Sequence, residues 1–293
     1  MNIIFQIDGG IGKNIMATAV CKAIKNQYPN DKLIVVTAYN DVFINNPNVD
    51  RCFNFGNLSY FHEEYIDGKE VKLCLQDPYR QTDFLKREKS LIQIWCEMNL
   101  IKYNGETPEI FLTEREKSFY SKQFVTEKPL FVMQTNGGAE NQGHKYSWAR
   151  DIPSKNVQEI IENYKNDFTI AHIRREDQLG YEFTTPIQGN YRSMVVLIAL
   201  SSLRLFMDSF AQHTAMALNL PSVVLWIANS PKVFGYFQHK NIVANEFTTK
   251  PELVGSYIDK FDISGNLLQF PYNSEDEIFD TQKIIDSLES LKK

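Results

Sequence analysis

Asp208 closes an apolar run of Leu203, Leu205, Phe206 and Met207, and Ser209 and His213 follow it closely. Ser209 stands where a helix cap is expected. His213 lies near the start of a short Ala-rich helix that Pro221 ends, and Val223-Val224-Leu225-Trp226 then resumes an apolar strand pattern. A carboxylate, a hydroxyl and an imidazole therefore share one turn between a buried strand and a helix. In open α/β folds that edge is where ligands bind. A helix start there also offers free N–H groups and a positive dipole end to a phosphate. The spacing predicts a site for a nucleotide or a nucleotide sugar.

Three further constellations follow strand patterns in the same way. Asp8-Gly9-Gly10-Ile11-Gly12-Lys13-Asn14 comes after an apolar strand over 3–7. Its glycines let a backbone approach a ligand closely and accept positive φ, and Lys13 at the helix entry suits an anion. A Walker loop is excluded, because its first glycine would fall at Ile7 and Asn14 replaces the hydroxyl residue. A dinucleotide fingerprint is excluded because Ile15 stands at the third glycine position. The bland alternative is a tight turn without chemistry. Gln134-Thr135-Asn136-Gly137-Gly138 is followed by Lys145 and Arg150, two cations suited to phosphate oxygens, or else by a surface loop with incidental charges. His172-Ile173-Arg174-Arg175-Glu176-Asp177-Gln178 ends another strand, placed to meet a base or ribose or simply to be solvated.

The elements that position these residues alternate. A strand over 3–7, a helix over 14–27 and a strand over 32–37 form a βαβ unit with parallel strands. A short helix over 41–46, a strand over 71–75 and a long helix over 83–101 follow. The segment 113–127, rich in Glu, Lys and Ser, reads as a charged helix plus linker. A second alternating block has strands over 129–134, 168–173, 203–207 and 223–227, with helices over 157–164, 191–201 and 278–291. The expected architecture is α/β, with two Rossmann-like domains facing a central cleft. They span 1–125 and 126–293, and the terminal helix is expected to pack back on the first domain.

Composition agrees with a globular protein of this kind. The 293 residues are 43% hydrophobic, enough for a sizeable core. A net charge of −5 argues against a protein that coats nucleic acid without specificity. Cys21, Cys52, Cys74 and Cys96 have no paired spacing and form no Cys/His cluster, so no metal site is expected. The chain opens on a strand pattern, and no apolar run approaches the ~20 residues of a membrane span. A cytoplasmic protein without a leader is expected.

Together these residues resemble the heptosyltransferase-like glycosyltransferases of family 9, which have the GT-B architecture. Three stretches carry the resemblance. The first runs from Gly9-Gly10-Ile11-Gly12 through Tyr28-Pro29 and Leu33-Ile34-Val35-Val36 to Asn46-Pro47-Asn48-Val49-Asp50. The second, Lys145-Tyr146-Ser147-Trp148, is similar to the family's Lys-x-Trp loop with one residue more. The third is Asp208 to Ala215, with Leu220-Pro221 and Ser230-Pro231. Tyr146 to Arg150 and Phe234-Gly235-Tyr236 look like a divergent branch from phages and bacteria.

The resemblance implies transfer of a sugar from a nucleoside diphosphate sugar to an acceptor hydroxyl, with inversion and without metal. The nucleotide sugar would be a co-substrate, with no tightly bound cofactor. The donor would be held by Asn136, Gly137, Gly138, Lys145, Arg150, Arg174, Asp208, Ser209 and His213. The acceptor would meet the loop of Gly9, Gly10, Gly12 and Asn14. It would be a surface glycan or lipopolysaccharide-type sugar, or hydroxymethylcytosine in phage DNA. The family has an aspartate, its presumed general base, where this chain has Lys13. The loop around Asn229 also lacks the family's usual glycine. The reading here makes Asp8 the base and gives Lys13 a phosphate or an anionic acceptor. The alternative is a nucleotide- or sugar-binding protein without catalysis, which donor turnover would distinguish.

Overall fold

The computed structural model describes residues 1–137, 148–246, 248 and 270–292. The first half opens with β1 (Asn2–Ile7), α1 (Ile11–Gln27) and β2 (Lys32–Thr37). Edge strand β3 (Arg51–Asn54), α2 (Phe61–Tyr65) and β4 (Val71–Cys74) complete a four-stranded parallel sheet of order β3-β2-β1-β4. The second half has six parallel strands: β5 (Leu130–Gln134), β6 (Thr169–Ile173), β7 (Thr184–Ile187), β8 (Leu203–Met207), β9 (Val223–Trp226) and β10 (Lys240–Val243). Their order is β10-β9-β8-β5-β6-β7. The α/β expectation therefore holds. Central strands β8 and β9 are buried along their whole length, as strands covered by helices on both faces must be. Their uninterrupted apolar runs made them legible.

Strand order reverses once in each sheet. In the first sheet β1 lies between β2 and β4, with Phe5 opposite Cys74. In the second, β5 lies between β6 and β8, with Gln134 opposite Phe206. These reversals open a crevice at the carboxyl ends of the strands, where ligands enter such folds. Asp8 follows β1 and Asp208 follows β8, so both acidic residues stand at a reversal.

Several elements differ from the sequence reading. The long helix over 83–101 is two helices, α3 (Thr82–Leu85) and α4 (Leu91–Met98). Arg87 between them takes φ of 55°, which breaks the helix, and the Ser90 hydroxyl accepts the Gln93 N–H at 3.2 Å to start the next one. The short edge strands β3, β7 and β10 carry too little apolar pattern to be read, and β7 contains Pro186, as edge strands permit.

Connecting helix α5 (Glu114–Ser121) is closed by a capping box between Thr113 and Glu116. The second half adds α6 (Ser154–Tyr164), α7 (Tyr191–Leu200), α8 (Phe210–Ala217), α9 (Pro231–Phe234) and α10 (Thr281–Glu289). Terminal helix α10 packs within the second half, not on the first as expected. Ile284 and Leu288 are buried with Phe131 and Tyr164 in one core, and the Tyr164 hydroxyl donates to Glu289 at 2.7 Å.

The two halves are not separate bodies of apolar surface. Tyr191, Val195 and Val233 of the second half are buried in the core formed by α1, α4 and the first sheet. Arg192 on α7 is also buried; its guanidinium donates to Glu116 at 2.8 Å and to the Phe111 carbonyl at 2.6 Å. A buried guanidinium is tolerated because it has these partners.

Candidate active site

The first reversal presents a carboxylate on a buried cation. Gly9 takes φ of +80°, a conformation that glycine adopts without strain, and a Cβ there would lie 3.1 Å from Lys13 Cδ. That space lets the Lys13 side chain fold back beneath the loop. Its ammonium pairs with Asp8 Oδ1, with Lys13 7% and Asp8 53% exposed at the side chain. The ammonium also lies 5.2 Å from the Tyr79 ring and 5.3 Å from the Trp95 ring, within cation–π range. Asn14 is buried beside it; its amide donates to the Gly10 carbonyl at 3.1 Å, and it accepts from the Thr37 hydroxyl. Asn14 thereby ties the glycine loop to the end of β2. The space where a Gly10 Cβ would stand is open.

The second reversal is built on close backbone approach. A short bridge pairs Asn136 with Asp151, and the Gly137 N–H donates to the Arg150 carbonyl at 2.9 Å. A Cβ at Gly137 would fall 2.7 Å from the Asp208 carbonyl oxygen and 2.9 Å from that of Arg150. The Arg150 guanidinium donates to the Asp208 carbonyl at 2.6 Å and lies 3.3 Å from its carboxylate. Asn229 donates to the same carboxylate. Asp208, 5% exposed, is thus fixed between a cation and an amide at the mouth of α8.

Ser209 does not cap α8 with its own hydroxyl, as expected from sequence. It donates instead to the Gln134 side chain, whose oxygen also accepts the Ala211 N–H at 3.4 Å. Gln134, from the end of β5, supplies the cap. His213 is buried in the face of α8 that meets α1. Its Cδ2 lies 3.1 Å from where a Gly12 Cβ would be, and its Nδ1 is hydrogen-bonded to the Tyr236 hydroxyl at 2.7 Å. Burial lowers its pKa to about 4, against a smaller opposing pull from Asp208, so the imidazole is neutral. Arg174 donates to the carbonyls of Arg175 and Gln178 at 3.0 and 3.2 Å, which folds its loop. Gly138 and Lys145 lie outside the described residues.

Tyr79 was not anticipated; its ring lies 5.2 Å from the Lys13 ammonium of the first half and 6.5 Å from the Phe234 ring of the second. It sits in a 3-10 turn over Pro78–Arg80 started by Asp77, whose carboxylate accepts the Tyr79 N–H at 3.2 Å. Burial raises its phenol pKa, and the carboxylates of Asp208, Asp77 and Asp8 add to that while Arg150 opposes it. The Asp77-Pro78 turn signal was present in the sequence, but nothing there placed the ring against Lys13.

The arrangement places an exposed carboxylate at the end of β1 and, at the end of β8, a guanidinium beside a helix N-terminus. That pairing can take a proton from one group and stabilise negative charge on another. Among the described residues no group of three or more His, Cys, Asp or Glu is placed to hold a metal ion, and no helix is long and apolar enough to cross a membrane.

No protein-family profile matches the sequence, and no curated protein sequence does either. Solved structures do. A family 9 glycosyl transferase from Veillonella parvula DSM 2008 matches with TM-score 0.68 at 16% identity, over 99% of this chain and 96% of that one. The E. coli ADP-heptose LPS heptosyltransferase II matches with TM-score 0.66 at 15% identity, over 99% and 98%. The E. coli heptosyltransferase WaaC with ADP matches with TM-score 0.56 at 9% identity, over 91% and 100%. The chain has the two-sheet GT-B fold of the family 9 heptosyltransferases.

Proposed function

We propose that the chain is a glycosyltransferase that moves a sugar from a nucleoside diphosphate sugar to an acceptor hydroxyl. One observation carries this reading: Asp8, half exposed, follows β1, and Asp208, paired with Arg150, follows β8, each at a reversal of strand order. The similar fold of enzymes named for ADP-heptose supports a nucleotide sugar as donor.

The acceptor oxygen bonds to the anomeric carbon as the bond from that carbon to the diphosphate oxygen breaks. The electron pair leaves with the diphosphate, and the hydroxyl proton passes to Asp8. A single displacement inverts the anomeric centre. Arg150 and the positive dipole end of α8 stabilise the departing charge. Lys13 holds Asp8 in place through their ion pair. The acceptor assigned is a glycan hydroxyl, in line with the lipopolysaccharide named for a protein of this fold. Hydroxymethylcytosine in duplex DNA is the second acceptor to assay; a net charge of −5 gives it no general attraction.

The test is to incubate the chain with ADP-sugars and other nucleoside diphosphate sugars, with and without acceptor, and to measure released nucleoside diphosphate and acceptor mass. Release that depends on acceptor and stops in Asp8→Asn supports the reading. Tight donor binding with no release from any donor would instead establish a binding protein without catalysis.

A further inference from the structure

The geometry points to Tyr79, seated on Phe234 of the second half, as a positioning residue that holds Lys13 and through it Asp8. The inference rests on the reading of Asp8 as the base.

An ammonium removed from water needs a carboxylate and a polarisable surround. Lys13 has Asp8 for the first, and the faces of Tyr79 and Trp95 for the second. The two rings are held differently. Trp95 is fully buried in the first half; its indole N–H donates to the Leu75 carbonyl at 3.0 Å, and Phe5 meets it edge-on at 5.1 Å. That wall is fixed. Tyr79 lies in a short turn, and its ring rests on Phe84 at 5.0 Å and on Phe234 at 6.5 Å. Phe84 in turn meets Phe234 at 6.0 Å. Phe234 ends α9 and belongs to the second half. One wall of the lysine enclosure is therefore seated on the opposite half, where the donor is proposed to bind.

Without the Tyr79 ring, water reaches the Lys13 ammonium. The ion pair is then weakened by solvent, and Asp8 no longer has one preferred position. The phenol hydroxyl has no part in this, because the ring face makes the contact. Tyr79→Phe and Tyr79→Leu thus separate a positioning role from chemistry by the hydroxyl.

The experiment uses the full chain as wild type, Tyr79→Phe, Tyr79→Leu and Phe234→Leu, each checked by thermal melting. The first readout is the rate at which an N-hydroxysuccinimide ester acylates Lys13, followed by peptide mass spectrometry; it needs no turnover. The second is kcat alongside donor Kd. Tyr79→Leu is expected to label faster and to lose about tenfold in kcat with donor Kd unchanged, the scale of a desolvated cation–π contact. Tyr79→Phe is expected to restore both values, and Phe234→Leu to move both in the direction of Tyr79→Leu. If Tyr79→Leu fails to fold, Phe234→Leu carries the test alone. Wild-type labelling of Lys13 in the leucine variants overturns the inference, and so does a Tyr79→Phe enzyme as slow as Tyr79→Leu. A wild-type chain that turns over no nucleotide sugar sinks the proposed function instead, and the labelling rates still decide whether Tyr79 encloses Lys13.

Discussion

His213 of α8 packs directly on Gly12 of α1, with its Cδ2 3.1 Å from the place a Cβ would occupy. The two helices touch there because one of them has no side chain. Gly12→Ala should push them apart or force the imidazole off Tyr236, at a cost of about 1–3 kcal/mol for overpacking. Urea denaturation measures this. A midpoint equal to wild type would show that the contact gives way freely.

Gly137→Ala is expected to be harsher for binding. Its Cβ would meet two backbone carbonyl oxygens, of Asp208 and Arg150, at 2.7 and 2.9 Å. Neither belongs to a flexible side chain, so the loop must shift and carry Arg150 with it. Donor affinity measured by calorimetry should fall by about 1.5–3 kcal/mol, the scale of a lost hydrogen bond to a charged group. Unchanged affinity would place the donor elsewhere.

Asp8→Asn should lower kcat by about 10²–10⁴-fold, the contribution usual for a positioned general base, while donor affinity stays as in wild type. Measuring both separates the base from a loop anchor. A variant that melts early and loses donor affinity as well would make Asp8 structural. One that transfers sugar normally would move the base to another residue.

Acid should destabilise the chain through its buried histidines. Burial lowers His172, His213 and His239 to about 4 each, from an ordinary value of 6.5. The unfolded chain therefore binds more protons between these values than the folded one. Stability is complete above pH 6.5 and is lost as pH falls from about 6.5 to about 4. Each tenfold change in proton affinity is worth about 1.4 kcal/mol, so the summed loss over that range is on the order of 10 kcal/mol. Urea midpoints at pH 7 and pH 5 check it, and equal midpoints would contradict neutral burial of these rings.

Much of this was legible because buried parallel strands advertise themselves. Leu203–Met207 appears at the boundaries its apolar run sets, and Asp208 and Asp8 stand at the strand ends where the pattern placed them. What could not be read depends on tertiary neighbours. The sequence gives Lys13 as a free cation at a helix entry, whereas folding turns it onto Asp8 between two rings from 79 and 95. Ser209 looks like a cap, yet Gln134, far away in the chain, takes that task. The stripe of Leu91, Ile94, Trp95 and Met98 that suggests a helix over 83–101 lies wholly within α4, and no periodicity reveals the positive φ of Arg87 before it.

The shared core sets a limit on how such a protein can be recombined. Tyr191, Val195 and Val233 fill space made by the first half, and Arg192 finds its partners at Phe111 and Glu116. A chimaera that takes its donor half from a relative would import foreign versions of these side chains into a core fitted to others. It would also leave Glu116 and the Phe111 carbonyl of the retained half without the guanidinium that donates to them. New donor specificity in this lineage should therefore arise by substitutions within the crevice loops, whereas exchange of whole halves would need matching changes on α1, α4 and α5 in the same step.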